Sequence, residues 1–190
     1  MANEVEIGRG KRGRRAYTLD DIALVSARRT RDPADVNVGW QIDAYHVDVP
    51  IMAAPMDSVM SPDTAILFSK LGGIGVLDLD GLWTRYENPQ PILDEIAQLP
   101  ADGSIARLQQ IYSAPIQEDL ITERLQYIRK AGVVVAGKLS PQRTQRYWRA
   151  VVEAGVDLFV IRGLTFPPSM VPPPRHLPTL NLSLMNLVFR

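Results

Sequence analysis

Apolar residues in this chain gather in four short, nearly unbroken runs, and capped segments with helical spacing lie between them. The runs are "IMAA" from residue 51, "IGVLDL" from 74, "VVVAG" from 133 and "VDLFVI" from 156. Runs of this length without polar alternation predict strands buried on both faces. The first helix signal is local: Ser61 suits an N-cap, Pro62 the first helical position, and Asp63 the positive helix end. "SPDTAILFSKL" therefore predicts a helix that stops at Gly72-Gly73, because glycine accepts the left-handed C-cap conformation. "ITERLQYIRKAG" places Leu125, Ile128 and Ala131 on one face and ends at Gly132. Ser140-Pro141 repeats the start signal, and "QRTQRYWRAVVEAG" carries Trp148, Val151 and Val152 on one side before Gly155.

Buried strands alternating with capped amphipathic helices predict an α/β fold, a parallel sheet covered by helices. This local pattern leaves a doubly wound sheet and a (β/α)8 barrel both open. In either, ligands gather beyond the carboxyl ends of the strands. Residues 55–60, 78–81, 137–140 and 162–163 are thus the predicted functional rim. Residues 82–120, broken by Pro89, Pro91, Pro100 and Pro115, read as a long irregular excursion between the second strand and its helix. Upstream, "DPADVNVGWQIDAYHVDVP" reads as extended segments and turns leading to the first strand.

Composition narrows the partners. The 190 residues are 46% hydrophobic, enough for a full core, and 21 basic residues balance 21 acidic ones. A net charge of zero makes no electrostatic case for nucleic acid or an acidic membrane. With acids near the start and no apolar run of about 18 residues, the expected location is cytoplasmic, without a membrane anchor. Within residues 1–16, "GRGKRGRR" reads as a basic, flexible, solvated arm. The sequence holds no cysteine, which excludes disulfides, thiolate metal sites and a cysteine nucleophile within it.

Candidate chemistry is sparse. His46 and His176 have no metal-ligand spacing around them, so no metal site is expected. "GGIG" at 72–75 has the glycine density of a phosphate loop, yet it leaves a helix and enters a strand, which predicts a tight turn instead. Asp57 and Ser58 read as satisfying backbone groups of their own turn. Met56 offers a polarizable thioether at a strand's carboxyl end, a surface suited to a planar ring.

"YTLDDIALVSARRT", "VPIMAAPMDSVMSPDTAILFSKLGGIGVLDLDGLWTRYE" and "AGVDLFVIR" resemble the N-terminal half of the IMP dehydrogenase and GMP reductase family. They are closest to its bacterial IMP dehydrogenase-related branch. The resemblance runs from about residue 6 to 163 and implies the N-terminal half of a (β/α)8 TIM barrel. It implies oxidation of IMP to XMP with NAD, or reduction of GMP with NADPH, which leaves NADP, and a homo-oligomeric protein. By the family motif, Ala54 and Met56 contact the purine nucleoside monophosphate. Residues 82–120 are too short for the paired CBS module that most family dehydrogenases carry there.

The sequence also departs from the family. Its members use a cysteine on a loop beyond the fourth strand, and none is present, so no catalytic residue is assigned. Where dehydrogenases have Asp-Ser against the dinucleotide, Arg162-Gly163 stands, a cation that suits a phosphate and cannot accept a ribose hydrogen bond. These two are the expected cofactor-binding residues. Two other classes remain open: a flavin-dependent barrel oxidoreductase, and a non-catalytic nucleotide- or nucleic-acid-binding protein using the basic arm. Residues 164–190 hold six of the 15 prolines and neither glycine nor acid, while residues 1–163 hold all 13 glycines and all 21 acids. A disordered proline-rich tail is one reading of this; we favour a frameshift product appended to a truncated barrel at 17–163, and no turnover of IMP is expected of the chain alone.

Overall fold

The structure is a computed structural model, and it describes residues 4–6, 12–14, 17, 19–23, 25, 32–42, 44–100 and 104–162. The chain divides into two compact units, Met1–Asn37 and Val38–Arg190. In the first, strands β1 (Glu4–Glu6) and β2 (Arg12–Arg14) pair antiparallel, with Glu4 opposite Arg14 and Glu6 opposite Arg12. The segment expected to be a solvated arm thus contains a paired ribbon. The tail at 164–190 and His176 lie outside the described residues.

The second unit opens with an antiparallel hairpin, β3 (Trp40–Ile42) and β4 (Tyr45–Val47). Four parallel strands follow: β5 (Met52–Ala53), β6 (Ile74–Asp78), β7 (Ala136–Leu139) and β8 (Leu158–Ile161), paired in that order. A doubly wound sheet reverses its strand order so that helices cover both faces. Here the order never reverses, and right-handed crossovers then place the covering helices on one face. Side-chain burial agrees. Leu77, Leu139 and Phe159 pack with Ala65, Leu125 and Val151 of the helices, whereas Ile74, Val76, Ala136 and Leu158 pack with Ile42 and Val47 of the hairpin. The four units are the first half of a (β/α)8 barrel, with the hairpin against its inner face.

Helix α1 (Pro62–Lys70) forms for the reasons its sequence gives. The Ser61 hydroxyl accepts from the Thr64 N–H at 3.0 Å and the Thr64 hydroxyl accepts from the Ser61 N–H at 2.6 Å, a reciprocal cap. Gly72, at φ +95°, makes the exit that a side chain would strain. A Cβ on Gly75 would stand 2.5 Å from the Ala65 Cα, so the bare backbone lets α1 lie directly on β6. "GGIG" is the tight helix-to-strand turn its context predicts.

Residues 82–120 correct the expectation of an irregular excursion. After a 3-10 turn at Leu82–Thr84 come helices α2 (Gln90–Gln98) and α3 (Ser104–Tyr112), then α4 (Glu118–Lys130), which covers the sheet. Pro89 is the N-cap of α2 and Pro91 sits in its first turn, where a missing N–H costs nothing. Helix α5 (Pro141–Glu153) buries Thr144, Tyr147, Ala150 and Val151. The buried stripe is therefore turned from the expected one: Trp148 and Val152 are only half-buried.

One carboxylate ties the lower end together. Asp157, just before β8, accepts from the Tyr45 hydroxyl at 2.9 Å, the Val135 N–H at 2.8 Å and Arg129 Nη2 at 2.8 Å. It joins the hairpin, the start of β7 and the last turn of α4. Among the described residues no helix is long and apolar enough to cross a membrane.

Candidate functional site

Alternation along parallel strands stacks the inner face in layers. Val76, Ala136 and Leu158 form one apolar layer, and the next brings Asp78 opposite Lys138 and Lys138 opposite Val160. Polarity thus begins at the carboxyl ends of the strands. Lys138 Nζ lies 3.1 Å from Asp78 Oδ1 and 3.1 Å from Asp80 Oδ2, with side-chain exposures of 12%, 16% and 17% for the three residues. Burial pushes the Asp78 carboxyl above its ordinary value, and Lys138 draws it back only in part. Asp80 also accepts the Ser140 N–H at 2.6 Å and faces its hydroxyl at 3.4 Å. The Ser140 hydroxyl consequently does not cap α5, unlike that of Ser61.

Above this layer lies a cavity of about 350 Å³. Pro55, Met56, Asp57 and Ser58 line it from the end of β5, Asp78 and Lys138 from beneath, and Arg162 from the end of β8. All four strand ends lie on the predicted rim. Leu93 and Ile96 of α2 and Tyr112 at the end of α3 complete the lining. Met56 is 44% exposed at this surface. Ala54, also exposed, is not part of the lining; its carbonyl accepts from the Met56 N–H at 2.9 Å. Arg162 forms no ion pair among the described residues, and Gly163 lies outside them. His46 is exposed on β4, 3.8 Å from Asp48 Oδ1.

Asp57 satisfies backbone, as expected, but of a distant loop. Both its carboxylate oxygens accept from the Leu82 N–H at 3.0 Å, and Oδ2 accepts from the Tyr112 hydroxyl at 2.8 Å. A Cβ on Gly81 would stand 2.2 Å from Asp57 Oδ1, so only glycine leaves room for this approach. Burial raises the Asp57 carboxyl; the bonds from Tyr112 and Leu82 and the charges of Lys138 and Arg85 oppose it. The Tyr112 hydroxyl is pushed well above its ordinary range by burial and by its bond to Asp57.

Arg85 is 7% exposed and works through carbonyls: Nε donates to Asp80 C=O at 3.0 Å and Nη1 to Ala114 C=O. Its guanidinium lies 6.0 Å from the centre of the Tyr112 ring. Asp78, Asp80 and Lys138 fell within the expected rim segments without being singled out. Leu93, Ile96 and Tyr112 lie outside those segments. The signal for α2 was present in Ile92, Leu93 and Ile96 at helical spacing behind Pro91.

Residues 16–163 match the IMP dehydrogenase / GMP reductase domain. The chain is 40% identical over 164 residues to an uncharacterized oxidoreductase of Mycolicibacterium smegmatis, covering 84% of this chain and 44% of that one. It is 36% identical over 64 residues to the inosine-5'-monophosphate dehydrogenase of Methanocaldococcus jannaschii, covering 34% of this chain and 13% of that enzyme. It superimposes with a TM-score of 0.72 on the crystal structure of an IMP dehydrogenase/GMP reductase-like protein from Corynebacterium glutamicum. That protein is 40% identical, and the match covers 86% of this chain and 45% of its own. The chain thus spans less than half the length of the oxidoreductase and of the crystallised protein.

Proposed function

Because the chain belongs to the IMP dehydrogenase / GMP reductase family, we propose that its rim cavity is part of a site where a purine nucleoside monophosphate exchanges hydride with NAD or NADP. The substrate pair is IMP and XMP, or GMP and IMP. The observation that carries this reading is Met56, a large apolar side chain left exposed on a cavity at the carboxyl ends of barrel strands. Its thioether supports the face of a planar base.

Arg162 supplies the cation at the same cavity, and its chemistry fits the phosphates of a dinucleotide rather than a ribose hydroxyl. The nicotinamide ring, when bound, accepts or supplies the hydride. Asp57 fixes the strand end through the Leu82 N–H, so Met56 is held on a rigid turn. The sequence contains no cysteine, so these residues bind and orient the nucleotide and make no thiolate attack on it.

Thermal unfolding with IMP or GMP present tests the reading. A ligand at about 100 times its Kd stabilises by about 2.7 kcal/mol, which moves the melting temperature measurably. Met56→Asp is expected to abolish the shift. No stabilisation by any purine monophosphate would overturn the proposal.

A further inference from the structure

Helix α2 is the least explained element of the fold. Its apolar stripe, Ile92, Leu93 and Ile96, is well formed, yet no residue of the helix is fully buried. A stripe serving only the core would normally be covered by it. Instead Leu93 and Ile96 face the rim cavity together with Tyr112.

This position is firmly built. The Tyr112 hydroxyl is bound to Asp57 at 2.8 Å, the Tyr86 hydroxyl donates to Ile111 C=O at 2.8 Å, and Arg85 reaches Ala114 C=O. Arg107 then clamps α3 to α2 through both carboxylate oxygens of Glu95, at 2.5 and 2.9 Å. Three ties to the barrel and one between the helices fix the apolar surface, so ordering it on ligand binding costs little. The cavity, at about 350 Å³, is within the size range of small-molecule sites.

We infer that residues 90–112 are a wall of the binding site, on which Leu93, Ile96 and Tyr112 receive the purine ring opposite Met56. This rests on the proposed nucleotide site and deepens it. A thioether on one side and two aliphatic side chains with a phenol on the other make an apolar slot, suited to a flat heteroaromatic ring. Tyr112 acts through its ring, and its hydroxyl, occupied by Asp57, sets the ring's position.

The experiment is calorimetric titration of the chain with two probes, IMP and ribose 5-phosphate, which lacks the base. Tyr112→Ala and the pair Leu93→Ala with Ile96→Ala are expected to weaken IMP about ten-fold. Ribose 5-phosphate binding is expected to stay unchanged. Tyr112→Phe keeps the ring and is expected to stay within about three-fold. If IMP binds the native chain and is lost in Met56→Asp but not in these variants, the wall is overturned while the family reading stands. Equal weakening of both probes overturns it too, since the helices would then act only through the fold. If the native chain takes neither IMP nor GMP, the nucleotide reading falls and the wall falls with it.

Discussion

Lys138 Nζ stands 3.1 Å from Asp78 Oδ1, although 60 positions separate the residues. Parallel register places them side by side where the barrel interior changes from apolar to polar. Lys138→Met would leave the nearly buried carboxylates of Asp78 and Asp80 without their shared cation. Breaking such a group costs roughly 3 kcal/mol, because the remaining charges lose their partner and stay out of water. Urea unfolding is expected to show this loss, and an unchanged midpoint would mean that the ammonium is not what holds the layer.

Stability should depend on pH through Asp57. Burial raises its carboxyl above the ordinary value of 3.8, so the folded chain holds this proton more tightly than the unfolded chain does. The group's contribution is complete below pH 3.8 and is lost as pH rises through the folded value. Asp57→Asn has no such titration. The unfolding free energy of the native chain, measured against that variant, is expected to decline from about pH 4 upward. A difference independent of pH would contradict the burial of the carboxylate.

Gly81→Ala tests the approach of Asp57 to the Leu82 loop. The added Cβ would lie 2.2 Å from Asp57 Oδ1, a clash that must move one of the two. Overpacking of this kind costs about 1–3 kcal/mol. The same variant is expected to loosen Tyr112, visible as faster amide exchange in 104–112. A native melting curve with native exchange would rule out the close approach.

Ser61 and Ser140 begin the same "SP" signal but should respond differently to alanine. Ser61→Ala removes a reciprocal cap and is expected to cost about 1 kcal/mol. Ser140→Ala leaves intact the 2.6 Å bond from its backbone N–H to Asp80 and removes only a 3.4 Å contact. A loss of a few tenths of a kcal/mol is expected there, within the usual range for a change that removes no buried bond. Chemical denaturation of both variants compares them directly.

The legible features were those encoded by neighbours. Ser61, Pro62 and Gly72 fix α1 within a dozen positions, and the apolar runs mark β6, β7 and β8 and hence the rim. The local pattern could not separate a barrel from a doubly wound sheet, because strand order is a property of the whole sheet. Asp57 was read as a turn residue because its partners lie 25 and 55 positions away. Residues 82–120 look irregular in the sequence because four prolines interrupt them. Pro89 and Pro91 in fact begin α2, and Pro100 and Pro115 stand outside the helices. Leu93, Ile96 and Tyr112 reach the cavity only through these helices, so the sequence does not mark them as site residues.

The Asp157 carboxylate that gathers Tyr45, Val135 and Arg129 imposes an order in time on a chain made from its N-terminus. Tyr45 is synthesised 112 residues before its acceptor. At ribosomal speeds the hairpin waits about 6 to 20 seconds for that bond. During this interval Ile42 and Val47 can meet Ile74 and Val76, but Leu158 has yet to be made. A hairpin docked on half its eventual partners is a target for chaperones or for a neighbouring nascent chain, so slowing translation before residue 157 should lower the yield of folded protein.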